Sequence, residues 1–557
     1  MQLTNTLIDL LKKRGISGEE EIAEFLSPKP RRTYPPSLLT DADAGVDFIL
    51  QEIEKGSRIC IYGDYDADGI TSTSLMLQVL RHLLPQERLG YYIPSRFEEG
   101  YGLNRDALRQ IAERGYQAVI TVDCGSVSAE EVRYAKELGL SILVTDHHTI
   151  TDRMADCLLV NPKRADSAYP FRELCGCGVA FKMAQLLQKR CGLPKHVLSE
   201  VLDLAAIGTM GDIMPLLDEN RTICKYGMQV INRGSRYGLR KLAEGAGLSP
   251  GEISSENISY VIVPHLNATG RMEDAYPAVR LLTAAEGDPE VPTIVEDLLR
   301  KNKERRRLQQ ETFEACTAEL SAENFILIRS EHAHEGIAGI VAGKIKETYH
   351  RPTVIVTPSG EEKQYLKGTG RSIEGVNLYA LLKRHEQLFE KFGGHAGACG
   401  FLMPAENFET LRAGLLADMT ELLAKNPQLF ETHYDIDLEL PCSALTIPFA
   451  EELELLAPFG NQNPKPLLCV RNARISRIRP LGTEGRHVGF SMTDHSGCEI
   501  ACVLFNKAES YMDLLRGGYA DAVIGSLECR TWQGRKQLQF MVEEICEWEN
   551  RGSKERS

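Results

Sequence analysis

Residues 57–69 read SRICIYGDYDADG, an apolar β-rich run that ends in a glycine and passes directly into Asp64, Asp66 and Asp68. Outward from it, YQAVITV (116–122) and LSILVTD (140–146) are runs of the same kind. Helix-like stretches such as ITSTSLMLQVLRHLL and SAEEVRYAKELG lie between them. This alternation predicts an α/β class built on a parallel sheet with helices on both faces. In such open sheets ligands bind at the carboxyl ends of the strands, which is where the three aspartates stand.

Three carboxylates within five residues repel one another, and they persist only if a cation neutralises them or some stay protonated. DxDxDG resembles the start of a calcium loop, but the twelfth position from Asp64 is Leu75 rather than Glu, and the segment enters from a strand. A solvated acidic turn is the plain alternative. Against it, VITVDCG places Asp123 after the next strand, and ILVTDHH places Asp146, His147 and His148 after the following one. LAAIGTMGDIMPL then puts Asp212 in a Gly-flanked break of an apolar run. Any one of these is explicable as a helix cap. Together, on one sheet, they point to metal ligands. Carboxylates mixed with imidazole suit manganese or magnesium, the histidine favouring manganese. Five or six ligands exceed the need of one catalytic ion. They suit two ions sharing a bridging carboxylate, an arrangement for phosphoester hydrolysis.

The 557 residues are 43% hydrophobic and 25% charged, ordinary for a globular protein of several domains. No stretch reaches the roughly 18 apolar residues of a membrane span. MQLTNTLIDLLKKRG sets its charges after the apolar part, opposite to a secretory signal. The 15 cysteines include no CxxC pair, so a reduced, cytoplasmic chain is expected, with no metal at Cys175 and Cys177. A net charge of −14 argues against a mere coat for nucleic acid. Nucleic-acid handling would need local basic patches, or metal ions that offset the carboxylates. The expected organisation is a helical arm over 1–45, a sheet domain over 46–285 and a connecting helix over 286–320 (VPTIVEDLLRKNKERRRLQQETFEACTAEL). A second α/β region over 321–425, with strands at FILIRS and TVIVTP, and a small β-barrel over 430–550 follow.

GDYDADG, VDCG, TDHH and GDIMPL stand in the order of the DHH phosphoesterase superfamily, which residues 60–280 resemble. YIPSRFEEGYGL (92–103), PHLNATGRMEDA (264–275), HEGIAGIVAGKIKETYHRPTVIV (334–356), GTGRSIEGVNL (368–378) and FGGHAGACGF (392–401) narrow the resemblance to the RecJ family. It implies that 46–285 is a DHH domain, 321–425 a DHH-associated domain that closes over the substrate, and 430–550 an oligonucleotide-binding (OB) barrel. It also implies that Asp66, Asp68, Asp123 (the bridge), His147 and Asp212 are metal ligands and catalytic residues, with Asp64, Asp146 and His148 orienting them. Tyr62 stands where the superfamily often has a His, which leaves one ion with fewer protein ligands.

By the same resemblance Arg96, Arg271, Arg371, Ser372 and His395 form a pocket for a 5′-phosphate, a role that suits the guanidinium fork. His265 and Ala333 replace an Arg and a Trp frequent in relatives. RKNKERRR (300–307) spreads six basic residues around a helix. A solvated helix is the default for such a run, and a DNA-facing side including Arg305 or Arg306 is the reading preferred. In the barrel Phe490, Phe505 and Trp532 are candidates to stack bases among Arg486, Arg530, Arg535 and Lys536, Trp532 foremost, with at least one of the three expected in the core. The implied activity is a 5′-to-3′ exonuclease on single-stranded DNA, releasing mononucleotides in repair and recombination. Two divalent ions would serve it, manganese preferred and magnesium possible. A single-strand-binding protein and a RecQ-type helicase are the implied partners. A monomer without membrane contact is expected. Two other readings stay open: a DHH enzyme cleaving dinucleotides, against which the barrel argues, and a scaffold with a decayed core, against which the ligand set argues.

Overall fold

The computed structural model describes residues 3–547 except 152, 319, 321–322, 361–362, 483–484 and 533–534. Its first sheet comprises β1 (Ile59–Tyr62), β2 (Leu89–Tyr92), β3 (Ala118–Val122), β4 (Ser141–Thr145) and β5 (Leu158–Val160), in the order β2-β1-β3-β4-β5. Every pairing is parallel. β1 and β3 are buried along their whole length because helices cover both faces. Ile59 and Ile61 enter one core, Cys60 and Tyr62 the other. The chain leaves β1 towards β2 on one side and returns to β3 on the other, so the strand order reverses between β1 and β3. Ligands of open sheets bind at such a switch point. β1 and β3 are the strands that deliver the GDYDADG aspartates and Asp123.

One apolar run departs from the expected pattern. LDLAAIGTMG is no strand but the helix Leu202–Gly211, buried from Asp203 to Met210, with Asp212 as its C-cap. Asp212 therefore reaches the crevice from a helix end, not from the sheet.

The helix Val291–Thr317 leads to a second sheet of β6 (Ile326–Arg329), β7 (Thr353–Ser359), β8 (Tyr365–Arg371), β9 (Lys391–His395) and β10 (Ala398–Pro404), in the order β6-β7-β8-β10-β9. The third unit holds β11 (Leu438–Glu439), β12 (Leu468–Leu481), β13 (His487–Thr493), β14 (Glu499–Leu504), β15 (Tyr519–Trp532) and β16 (Arg535–Cys546). β12 pairs with both β13 and β15, which closes a five-stranded barrel.

The helices Asn5–Lys13 and Glu19–Leu26 pack onto this barrel, not onto the domain that follows them in sequence. Leu7, Leu10, Leu11 and Ile22 share a core with Phe449, Leu468, Phe490 and Phe540. Arg14 fixes the contact with a bidentate pair to Asp437 at 2.7 and 2.8 Å. Arg221 of the first domain adds bonds to the carbonyls of Phe25, Leu456 and Ala457. No described helix is long and apolar enough to cross a membrane.

Candidate metal centre

Asp66 is the N-cap of the helix Ala67–Leu80, its carboxylate accepting from the N–H groups of Asp68 and Gly69. The Ala67 N–H is tied to Asn267 Oδ1 at 2.7 Å, so the NATGR segment helps to seat this loop. Asp68 accepts from the N–H groups of Gly176 (2.6 Å) and Cys177 (2.8 Å) at the start of the helix Gly176–Cys191. Only glycine fits at 176: a Cβ there would stand 2.4 Å from Asp123 Oδ1. Asp123 itself has φ at 63°, a left-handed conformation uncommon outside glycine. Its Oδ1 lies 3.2 Å from His147 Nε2, which is also 3.5 Å from Asp212 Oδ2 and 3.9 Å from Asp68 Oδ2. Asp146 instead accepts from the N–H groups of Ser126, His147 and His148, and its Oδ1 is 2.8 Å from His148 Nδ1. The Tyr101 hydroxyl lies 2.9 Å from His148 Nε2.

Among the described residues, three sets of donor atoms lie within 4.8 Å of one another: Asp68, His147 and Asp212; Asp123, His147 and His148; Asp64, Asp66 and Asp123. Asp64 Oδ1, Asp123 Oδ1 and both ring nitrogens of His147 are buried without a well-aligned hydrogen bond, the 3.2 Å approach of His147 Nε2 to Asp123 Oδ1 included. Each such orphan costs about 1–3 kcal/mol, so folded protein rarely keeps several together without a ligand. An oxygen-rich cradle with imidazole fits Mn2+ or Mg2+. Asp64, expected from the sequence to orient ligands, thus presents a donor atom of its own to the third set.

The electrostatics agree with a cation cradle. Burial, then the Asp66 charge, raises Asp68 to about 6. Burial, then the charges of Asp68 and Asp66, raises Asp212 to about 8. Asp64 and Asp123 are pushed well above the carboxylate range, first by burial and then by neighbouring aspartates. Burial, then the His148 charge, drives His147 down to about 3, so its ring is neutral and its lone pairs are open to a metal. Burial opposes the charge on His148, but the hydrogen bond and charge of Asp146 outweigh it and raise the group to about 9. Tyr62 is no substitute ligand. It is wholly buried, donates to the Gly102 carbonyl at 2.9 Å and stacks on Tyr92.

Beside the carboxylates stands a group of guanidinium ions. Burial lowers Arg271 to about 10, helped by the charges of Arg96, Arg305 and Arg371, which places all four in one field. Arg96 lies over the Tyr65 ring at 4.2 Å with its Nε buried and unpartnered. Arg271 donates to the Gly336 carbonyl and Arg371 to that of Gly370. Ser372 Oγ donates to the Val376 carbonyl, and His395 is exposed on β9. Arg305 bonds Asn302 and Gln309, while Arg306 is exposed and makes no ion pair among the described residues. Arg307 is spent on Glu304 and Glu311. His265 is buried, its Nδ1 2.7 Å from the Val261 carbonyl oxygen, and Ala333 packs on a small core beside β6.

In the barrel, Phe490 does not stack bases: it is 3% exposed, inside the core that the N-terminal helices share. Phe505 is 45% exposed, edge-on to His487. Arg530 is paired with Glu528 and Lys536 with Glu451. The Trp532 side chain lies outside the described residues. Sequence reasoning missed Gly176, Cys177, Asn267 and Tyr101. The one signal for the first two was a glycine set between the cysteines.

The parallel sheet and its carboxylate–histidine crevice define a DHH-type phosphoesterase. Residues 58–209 match the DHH family, N-terminal domain; 322–421 match the DHHA1 domain, and 436–544 the RecJ OB domain. A Bacillus subtilis (strain 168) protein named single-stranded-DNA-specific exonuclease RecJ is 37% identical over 558 residues, which cover 99% of this chain and 69% of that protein. The crystal structure of RecJ in complex with Mn2+ from Thermus thermophilus has a TM-score of 0.81 at 28% identity, over 97% of this chain and 76% of that one. The complex with Mg2+ from the same source gives 0.74 at 26% identity, over 97% and 74%. The chain belongs to the RecJ family.

Proposed function

We propose that this chain is a metal-dependent exonuclease that removes mononucleotides from the 5′ end of single-stranded DNA. It uses two divalent ions, manganese in preference to magnesium. The observation that carries the reading is the set of orphaned donor atoms on Asp64, Asp123 and His147 at the switch point of the sheet. Asp66, Asp68, Asp123, His147 and Asp212 would hold the ions, Asp123 between the two sites. Divalent ions held by these residues would supply Lewis-acid chemistry, polarising the phosphodiester and lowering the pKa of a water. Gly176 and Cys177 aim Asp68 by their N–H groups, and Asp146 fixes the turn carrying His147 and His148. Arg96, Arg271 and Arg371, with Ser372 and His395, clasp the terminal phosphate. A clasped terminus at a fixed distance from the ions sets which bond is cut, hence one nucleotide per cycle. Arg305 and Arg306 hold the departing backbone. Membership of the family supports a role in repair and recombination, as a monomer beside a single-strand-binding protein and a RecQ-type helicase.

The test is digestion of a single-stranded 30-mer with manganese, labelled at either end. Prompt mononucleotide release from the 5′ label is expected, with a duplex control intact. Release from the 3′ label would overturn the terminal pocket. Asp123→Ala is expected to abolish hydrolysis and to leave DNA binding largely intact. Equal cleavage by the two proteins would remove the two-ion account.

A further inference from the structure

Resting on that reading, we propose that Tyr260 and Ile213 form a subsite for unpaired nucleobases, so that the cleft beyond the metal centre sorts the strand: phosphates to one wall, bases to the other. Tyr260 is 75% exposed and Ile213 70%, the two most exposed large apolar side chains among the described residues. Both line one cleft of about 940 Å³, together with Asn267, Arg271, Arg305 and Lys465. Tyr260 sits in a π-helical turn, Ile258–Ile262, that runs into the helix Val263–Met272. Such turns are rare and concentrate at functional sites. Tyr260, Asn267 and Arg271 line that cleft in chain order. Eleven residues, roughly three helical turns, separate Tyr260 from the arginine assigned to the terminal phosphate.

Ile213 directly follows Asp212 and is β-branched with φ at 55°, a conformation of real cost. Asn461 Nδ2 holds it there by donating to the Ile213 carbonyl at 2.7 Å. The structure thereby keeps an apolar side chain in solvent at the mouth of the site. Burial in this chain does not explain that placement; contact with an apolar ligand surface does.

Charge decides which part of the strand meets which wall. Lys465 is held by Glu256 and Glu528 and Arg530 by Glu528, and Glu543 adds a further carboxylate, so the barrel side of the cleft carries no net positive charge. Arg271 and Arg305 make no ion pair among the described residues and carry net positive charge into the cleft. Phosphates go to those arginines, and base faces are left to Tyr260 and Ile213. Base–aromatic stacking is indifferent to sequence, as an exonuclease requires.

The test uses the full chain with manganese and two 5′-phosphorylated 30-mers. One is oligo(dT), and the other carries abasic nucleotides at positions 3–8. Tyr260→Ala is expected to raise KM on oligo(dT) about tenfold, with kcat within about twofold, while Tyr260→Phe keeps the wild-type KM. Wild type is expected to lose the same factor on the abasic strand, where Tyr260→Ala adds nothing. An unchanged KM for Tyr260→Ala on oligo(dT), or an equal loss on both strands, overturns the subsite. Equal KM of the wild type on the two strands overturns it as well, leaving the nuclease reading intact. A wild type that cuts neither strand defeats that reading, and the subsite with it.

Discussion

A methyl group on residue 176 would meet the Asp123 carboxylate at 2.4 Å, so Gly176→Ala perturbs the centre without replacing any of its ligands. Displacing a reacting group by about 1 Å can cost roughly 100-fold in rate. Hydrolysis should fall by that order, manganese affinity should fall in calorimetric titration, and the melting temperature should shift by only a few degrees. The protonation of the centre gives a second expectation. In the metal-free fold Asp212 titrates at about 8 and His148 at about 9, against roughly 3.9 and 6.5 when unfolded. Between about pH 6.5 and 9 the folded state binds more protons than the unfolded one, so stability falls as pH rises. His147, at about 3 in the fold, is neutral there across that window, while in the unfolded chain it is still about half protonated near pH 6.5 and offsets part of the fall only at that lower edge. Melting in EDTA should therefore drop from pH 6.5 to 9, and saturating manganese should reduce the drop by displacing the carboxylate protons. A flat EDTA profile would contradict these shifts. The aspartates were legible in the sequence because a carboxylate after a strand is a residue-type signal. The N–H groups of Gly176 and Cys177 were not, since every non-proline residue carries one.

The helix Val291–Thr317 shows what a charge run conceals. RKNKERRR reads as one basic block, yet Arg300 is paired with Asp297, Lys301 with Asp297 and Glu273, and Arg307 with Glu304 and Glu311, which leaves Lys303, Arg305 and Arg306 without an ion pair among the described residues. Arg305→Ala and Arg306→Ala should each weaken single-strand binding and lower the salt slope by about 0.7. Arg307→Ala should do neither, as fluorescence anisotropy across a salt series would show. Equal effects from all three would mean a diffuse field. The run 202–211 was misread for a different reason. It is apolar all round, and such a pattern cannot separate a buried helix from a buried strand. That one of the three barrel aromatics is core was expected, but not that it is Phe490, because β13 is buried almost end to end in a closed barrel, with no wet face to betray itself by alternation.

At the scale of the whole molecule the three units were legible from their element patterns, whereas the seat of the N-terminal helices was not. An amphipathic helix says that it must cover something, not what. Arg221 joins these parts, and its guanidinium is nearly all buried against backbone carbonyls. Arg221→Ala would leave those carbonyls unpaired at about 1–3 kcal/mol each. Calorimetry should show the barrel melting earlier and separately from the catalytic domain; a single unshifted transition would mean the joint carries little load. The same packing has a consequence in time. Leu7, Leu10 and Leu11 leave the ribosome before Phe449, Leu468 and Phe540, against which they pack and which are made more than 400 residues later. At roughly 5–20 residues per second the newborn helix spends on the order of half a minute or longer with a bare greasy face. Nascent chains of this protein are therefore expected to engage the cell's holding chaperones once these helices emerge and to let go only when the barrel follows.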